Sequence, residues 1–165
     1  MSCNRCFLLL LASVPASLAL CQGDATSYFG TNVQEKQVYL DWVANDRNDF
    51  YKECLFLESS LSSADFPHGA ALHWSTNATH VSIAVAVQAD GWLGFGLSEN
   101  GGMRGADMFL FAAADKNGSL TDAHVLQELY PIKDECQNWD LVNSTVQDGF
   151  IIVEATRELD TGDMQ

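Results

Sequence analysis

The feature that most constrains the fold is a strict alternation of side chains between residues 80 and 87. On one side of an extended chain, this segment places four large β-branched residues: Val81, Ile83, Val85 and Val87. On the other side it places three small residues: Ser82, Ala84 and Ala86. Because successive side chains of a strand point to opposite faces, the pattern predicts a β-strand with one bulky face and one face of small side chains.

Further short strands are predicted on both sides of this one, with turn signals roughly every 8–12 residues. They cover residues 37–43, 70–74, 91–98, 107–114, 123–130, 139–143 and 149–154. The turns at 89–91 and 147–149 are tight enough for hairpins. The pattern is typical of two packed antiparallel sheets, and we predict an all-β sandwich.

The segment 91–111 predicts two apolar strands joined by an unusually rich loop, GWLGFGLSENGGMRGADMFLF. Asn100, Gly101 and Gly102 can adopt the positive φ angles of a turn. A plain hairpin needs only two loop residues, so the longer loop indicates a functional role. The loop carries Met103, and Asp107 begins the second strand.

Residues 1–23 predict a secretory signal peptide. Arg5 precedes an apolar run, and the small residues Ser17 and Ala19 provide a cleavage region between positions 19 and 23. The alternative is a membrane anchor, but Pro15 interrupts a run that is already short for a membrane span. We therefore expect localisation outside the cell or in the secretory lumen, with residues 24–37 as an N-terminal segment before the domain.

The charge of the chain restricts its partners. Eight Lys and Arg residues oppose 22 Asp and Glu residues, and the formal net charge is −14. Nucleic acids and anionic membranes require clustered basic residues, so the sequence argues against both as partners. No later segment approaches the length of a membrane span.

Cysteines and sequons agree with an oxidising compartment. Of five cysteines, Cys54 and Cys136 lie in the body of the chain, and a disulfide between them is the first expectation. The alternative pairs one of them with a cysteine outside this segment. Three Asn-x-Ser/Thr sequons, at Asn77, Asn117 and Asn143, predict a glycoprotein surface.

Ordered motifs give the chain a resemblance to a known family. They are Gly105-Ala106-Asp107, the segment LTDAH at 120–124, Pro131, Asp134, the segment QNWDL at 137–141 and the segment TRELDTGD at 156–163. Together they resemble a DOMON domain, and more narrowly the N-terminal DOMON of dopamine beta-hydroxylase-like copper type II, ascorbate-dependent monooxygenases. The resemblance covers residues 38–165 and implies an immunoglobulin-like antiparallel β-sandwich. In that family the last motif runs on into closing strands, so we expect the domain to be truncated here.

The resemblance implies a cation site. The carried-over positions are the Asp107 side chain, the backbone carbonyls of Met108 and Ala123, and Asn138, where the family tends to have Asp. Oxygen ligands of this kind suit calcium or a similar cation. The alternative for Asp107 is a turn-capping carboxylate.

Haem-binding and carbohydrate-binding DOMON modules are the alternatives. In haem-binding members, the methionine at the position of Met103 is one axial ligand and a histidine near the end of the domain is the other. The histidines of this chain, His68, His73, His80 and His124, lie elsewhere. Met103 could instead fill space in the core. A carbohydrate site would use Trp74, Trp92 or Trp139.

Catalysis is not expected in this segment. The resemblance places copper ligands in separate domains, and the sequence contains no His-x-His pattern, Gly-x-Ser-x-Gly elbow or phosphate loop. The sequence therefore predicts a secreted, non-catalytic accessory module whose partner is the catalytic domain of the same longer protein.

Overall fold

The computed structural model describes residues 5–11, 29, 33–47, 50–57, 69–98, 101–113, 118–126 and 130–162. One α-helix, α1 (Val33–Trp42), continues into a π-helical turn (Val43–Arg47). The strands are β1 (Arg5–Leu11), β2 (Glu53–Leu57), β3 (Ala70–Thr76), β4 (His80–Gln88), β5 (Gly91–Leu97), β6 (Asp107–Ala112), β7 (Ser119–His124), β8 (Ile132–Lys133), β9 (Asp140–Gln147) and β10 (Phe150–Glu158).

The strands form two five-stranded sheets, which confirms the predicted all-β sandwich. Sheet one has the order β1-β5-β6-β7-β8, and sheet two has the order β2-β3-β4-β10-β9. Neighbouring strands are antiparallel except β1 and β5, which are parallel. The main core combines Phe95 and Phe109 of sheet one with Val85 and Ile151 of sheet two.

The alternation in β4 has the predicted consequence. Its β-branched residues lie in the main core, whereas Ala84 and Ala86 contribute to a second buried cluster on the outer face of sheet two. Helix α1 covers this outer face with Val38, Tyr39 and Trp42. Small side chains on β4 let the helix approach the sheet closely.

The strand predicted at residues 37–43 is wrong, because these residues belong to α1 and the turn that follows it. Val38, Tyr39 and Trp42 are buried, whereas Leu40 is 40% exposed. That spacing follows the helical repeat rather than the alternation of a strand. The predicted strand at 123–130 is also displaced, since β7 spans Ser119–His124.

Two connections show how turns distribute the strands. Asp148 and Gly149, between β9 and β10, both have positive φ angles (50° and 74°), as a two-residue type I′ hairpin requires. The turn at 89–91, predicted as a hairpin, instead carries the chain from β4 in sheet two to β5 in sheet one. Gly91, with a φ of 112°, adopts a conformation that favours glycine at this crossing.

Strand β1 falls inside the predicted signal peptide. Its backbone pairs in parallel with β5, from Arg5 opposite Gly91 to Leu11 opposite Leu97. The signal peptide itself stays a prediction. Within the described ranges, neither the α-helix nor the π-helical turn is long and apolar enough to cross a membrane.

The predicted Cys54–Cys136 disulfide is wrong. Cys54 is disulfide-bonded, but Cys136 is free and exposed. Cys54 lies on β2 of sheet two, whereas Cys136 follows β8 of sheet one. The partner of Cys54 therefore lies outside the described side chains.

The sequons have different surroundings. Asn77 lies in an exposed turn, where its Oδ1 accepts hydrogen bonds from the backbone N–H groups of Thr79 and His80, both at 2.8 Å. Asn143 lies within β9. Asn117 is outside the described residues, and glycosylation at all three sites stays a prediction.

Candidate functional site

Asp107 occupies the point where the glycine-rich loop enters β6. In the ladder it lies between Leu97 of β5 and His124 of β7. Its Oδ2 forms an ion pair with the Arg157 guanidinium, and its Oδ1 accepts a hydrogen bond from Trp139 Nε1 at 3.2 Å. Both carboxylate oxygens therefore already have donors.

This ion pair connects the two sheets. Asp107 belongs to β6 in sheet one, whereas Arg157 belongs to β10 in sheet two. The Arg157 Cζ lies 5.2 Å from the centroid of the Trp139 ring, which is within cation–π range. Trp139 is buried and packs edge-on against Phe95 and Phe109. Asp107, Arg157 and Trp139 thus join the sheets next to the main core.

The predicted cation ligands are only partly brought together. Met108 and Ala123 lie directly opposite each other in the β6–β7 ladder, next to Asp107. The Asn138 backbone N–H donates to Asp122 Oδ2 at 2.6 Å. A cation bound by Asp107 would have to compete with the Arg157 guanidinium, and the cation site stays a prediction. Within the described part of the chain, His, Cys, Asp and Glu form no group of three or more that could hold a metal.

Calcium should bind only when Arg157 is removed. We expect millimolar calcium to leave the melting temperature of the wild-type domain unchanged, because the guanidinium already neutralises Asp107. In Arg157→Met, the uncompensated carboxylate should produce a calcium-dependent rise in melting temperature. Differential scanning fluorimetry measures both, with magnesium as the control ion. A wild-type rise that disappears in Asp107→Asn but not in the exposed-site variant Asp90→Asn would contradict this expectation.

Asp122 is a site residue that the sequence analysis did not single out. It is buried, and its Oδ1 has no hydrogen-bond partner within the described part of the chain. Its backbone N–H donates to Gln137 Oε1 at 2.8 Å, and its carbonyl accepts the Asp134 N–H at 3.0 Å. Asp122 therefore anchors the segment between β8 and β9.

Burial raises the pKa of Asp122 above its ordinary value of 3.8, and the Asn138 N–H opposes that shift. Because the pKa is raised in the fold, ionisation of this carboxyl group costs stability as the pH rises above 3.8 through the raised value. The sequence feature that could have revealed Asp122 is an acid on the core-facing side of a strand motif, because a buried acid normally needs hydrogen-bond partners.

The described contacts of Met103 are those of a packing methionine. It is half-buried against an apolar cluster on the outer face of sheet one, formed by Ala106, Met108, Ala123 and Val125. His124 Nδ1 is hydrogen-bonded to Asp134 Oδ1 at 2.6 Å. Haem binding stays a prediction, which a Soret absorption band in the purified protein would test.

The tryptophans considered for a carbohydrate site have other surroundings. Trp139 lies in the main core, and Trp74 packs against that core. Trp92 is half-buried. A sugar-binding platform needs an exposed aromatic ring, and the ring of Trp139 is buried by packing in the core.

A second buried polar group lies under α1 and was not predicted. Glu154 on β10 is 1% exposed. Its Oε1 accepts hydrogen bonds from Trp42 Nε1 and Asn143 Nδ2, both at 3.1 Å, and its Oε2 accepts one from the Tyr51 hydroxyl at 3.1 Å. The sequence signal was an acid at a buried position of the apolar strand FIIVEAT.

His73 on β3 lies beside this group and is 7% exposed. Its Nε2 and the Tyr39 hydroxyl form a hydrogen bond of 2.8 Å. Ring centroids of Trp42 and Tyr51 lie 5.1 Å and 6.2 Å from the imidazole. Burial lowers the pKa of His73 from 6.5 to about 4, and burial raises the pKa of Tyr39.

A groove of about 400 Å³ runs between α1 and β9. Its lining residues include Asp41, Trp42, Asn143 and Asp148. Trp42 and Asn143 therefore reach both the groove and the buried Glu154.

Comparison with known proteins identifies the family. Residues 68–165 match the family model described as the DOMON domain. The chain belongs to the DOMON domain family. This result confirms the resemblance drawn from the motifs around Asp107, Asp122 and Trp139.

The DOMON chain is also similar to two curated proteins, both named DBH-like monooxygenase protein 1. It is 28% identical to the mouse protein and 30% identical to the human protein, in each case over 93 residues. The match covers 56% of this chain and 15% of each relative. The matched part of the DOMON chain thus corresponds to a small fraction of the length of these relatives.

Proposed function

We propose that this DOMON domain is a non-catalytic module of a longer DBH-like monooxygenase, in which it packs against another domain of the same polypeptide. The observation that carries the proposal is a group of exposed large hydrophobic side chains at one end of the β7–β8 hairpin. They are Leu126 (59% exposed), Tyr130 (77%) and Ile132 (46%).

The position of these side chains supports a docking role. Leu126 follows β7, while Tyr130 precedes β8 and Ile132 begins it. The segment after β8 is held in place by hydrogen bonds of Asp122 with Gln137 and Asn138. Contiguous exposed apolar side chains commonly mark interaction sites. Because similar proteins are several times longer, another domain of the same chain is the occupant we propose.

The chemistry of the candidate site agrees with a supporting role. The carboxylate of Asp107 is engaged by Arg157 and Trp139 in holding the sheets together. The copper chemistry implied by the resemblance would then belong to another domain. Localisation in the secretory pathway is part of the proposal, and the disulfide at Cys54 supports an oxidising compartment.

The proposal is tested on the full-length protein. Tyr130→Ser combined with Ile132→Ser should weaken domain docking, whereas Val142→Ser with Val146→Ser, at exposed positions of β9, serves as the matched control. We expect hydrogen exchange of residues 130–133 to be slower in the full-length protein than in the isolated domain, and the Tyr130/Ile132 variant to lose that protection. Equal exchange of residues 130–133 in both forms would overturn the proposal.

A further inference from the structure

We propose that helix α1 is a pH-released cover over the outer face of sheet two, and that protonation of His73 releases it. The inference is independent of the domain-docking role. It rests on how α1 is held, on what surrounds His73, and on the surface that the helix covers.

Helix α1 depends on its docking contacts. It has ten residues, and an isolated helix of that length is marginally stable in water. Its exposed positions include Gln37, Leu40 and Asp41. Its buried aromatic residues are Tyr39 and Trp42, and the polar atoms of both are hydrogen-bonded to sheet two, Tyr39 to His73 and Trp42 to Glu154. The helix and the polar groups beneath it therefore form one unit.

The groups around His73 provide little solvation for a positive charge on its imidazole ring. Helix α1 contributes the rings of Tyr39 and Trp42, and the segment before β2 contributes Tyr51. The strand neighbours opposite His73 are the disulfide-bonded Cys54 on β2 and Ala84 on β4.

The carboxylate that lies beside His73 under α1 belongs to Glu154 on β10. It already accepts hydrogen bonds from Trp42, Tyr51 and Asn143. A proton on His73 would therefore give the imidazole a charge within an aromatic shell, and would make both ring nitrogens donors. Undocking of α1 restores water to the ring.

The direction of the pH effect follows from the lowered pKa of His73. Burial holds the pKa of His73 at about 4 while α1 is docked, and solvent exposure returns it towards 6.5. Between these values the undocked state binds more protons, so the docking equilibrium weakens as the pH falls below about 6.5 and levels off below about 4. From pH 7 to pH 5 the undocked population should rise about 20-fold through this group.

Release of α1 would uncover an apolar surface. The second cluster beneath it contains Ala71, Ala86, Phe150 and Ile152, all fully or almost fully buried. Their strands, β3, β4 and β10, are also held by the main core on their other face. The sheet therefore has the contacts to remain folded while its outer face becomes accessible.

Hydrogen exchange of the whole chain tests the proposal. After correction for intrinsic rates, we expect the opening constant of residues 37–42 to rise about 20-fold from pH 7 to pH 5, with β4 and β10 remaining protected. His73→Gln should abolish the rise, and His124→Gln should retain it. Tyr39→Phe provides a second variant, which should raise α1 exchange already at pH 7 and keep the dependence on pH.

Two results would overturn the inference. One is an equal rise in α1 exchange in wild type and His73→Gln. The other is exchange of β4 and β10 that increases together with α1, since this would show unfolding of the domain rather than release of the helix. If His73→Gln does not fold, wild type and Tyr39→Phe provide the test. A pH-dependent rise in α1 exchange in both supports the inference, and its absence from either overturns it.

Discussion

Asp107→Ala should lower the free energy of unfolding by about 2–4 kcal/mol, because it leaves the Arg157 guanidinium without its carboxylate. The side chains of Arg157 and Asp107 are 12% and 21% exposed, so water replaces the lost partner only in part. Trp139 Nε1 loses its acceptor in the same substitution. Urea denaturation followed by circular dichroism measures the change.

We attribute the loss of stability in Asp107→Ala to breaking the Asp107–Arg157 ion pair rather than to removing one charge. Asp107→Leu combined with Arg157→Met should recover most of the loss, because an apolar replacement of both partners avoids an unpaired buried charge. Asp90→Ala, at an exposed turn, should change the free energy by less than about 0.5 kcal/mol. A double variant as unstable as the sum of its single variants would contradict the assignment.

Glu154→Ala should cost about 3–4 kcal/mol, since it removes the acceptor for three donors under α1. Trp42 Nε1 and the Tyr51 hydroxyl are then left buried without this partner, and a cavity forms beside them. Glu154→Gln keeps one carbonyl acceptor, so its cost should be about half as large. Thermal and urea denaturation provide the measurements.

A second glutamate on the same strand provides the control for this prediction. Glu158 lies on the same strand and is exposed, so Glu158→Ala should fall within about 0.5 kcal/mol of wild type. In Glu154→Ala we also expect faster hydrogen exchange of residues 37–42, because Trp42 loses its hydrogen bond to the sheet. Equal effects of the two alanine substitutions would show that the buried network contributes little.

Local patterns predicted much of the fold. The alternation in residues 80–87 predicted β4 and assigned its two faces correctly, because side-chain direction within a strand depends only on the pleat. The motif around Asp107 led to the DOMON family, which the match over residues 68–165 confirmed. Asp148-Gly149 predicted a hairpin because the required positive φ angles belong to those two residues.

Features that depend on distant partners could not be predicted in this way. Residues 37–43 alternate like a strand, yet they belong to α1 and the turn that follows it, because packing on the small residues of β4 favours a helix whose buried positions are Val38, Tyr39 and Trp42. Pairing of Cys54 with Cys136 was inferred because both lie in the body of a chain expected in an oxidising compartment, but Cys136 is free and follows β8 of sheet one, whereas Cys54 lies on β2 of sheet two.

The sequence by itself determined the sandwich, its alternating core and its family, because these follow from side-chain periodicity and from motifs that are local in the chain. The tertiary structure decided the role of Asp107, since its partner Arg157 lies 50 residues away on the other sheet. It also decided that His73 and Glu154 are buried beneath one helix, where burial lowers the pKa of His73. Charges and hydrogen bonds between distant segments exist only once both sheets and the helix are in place.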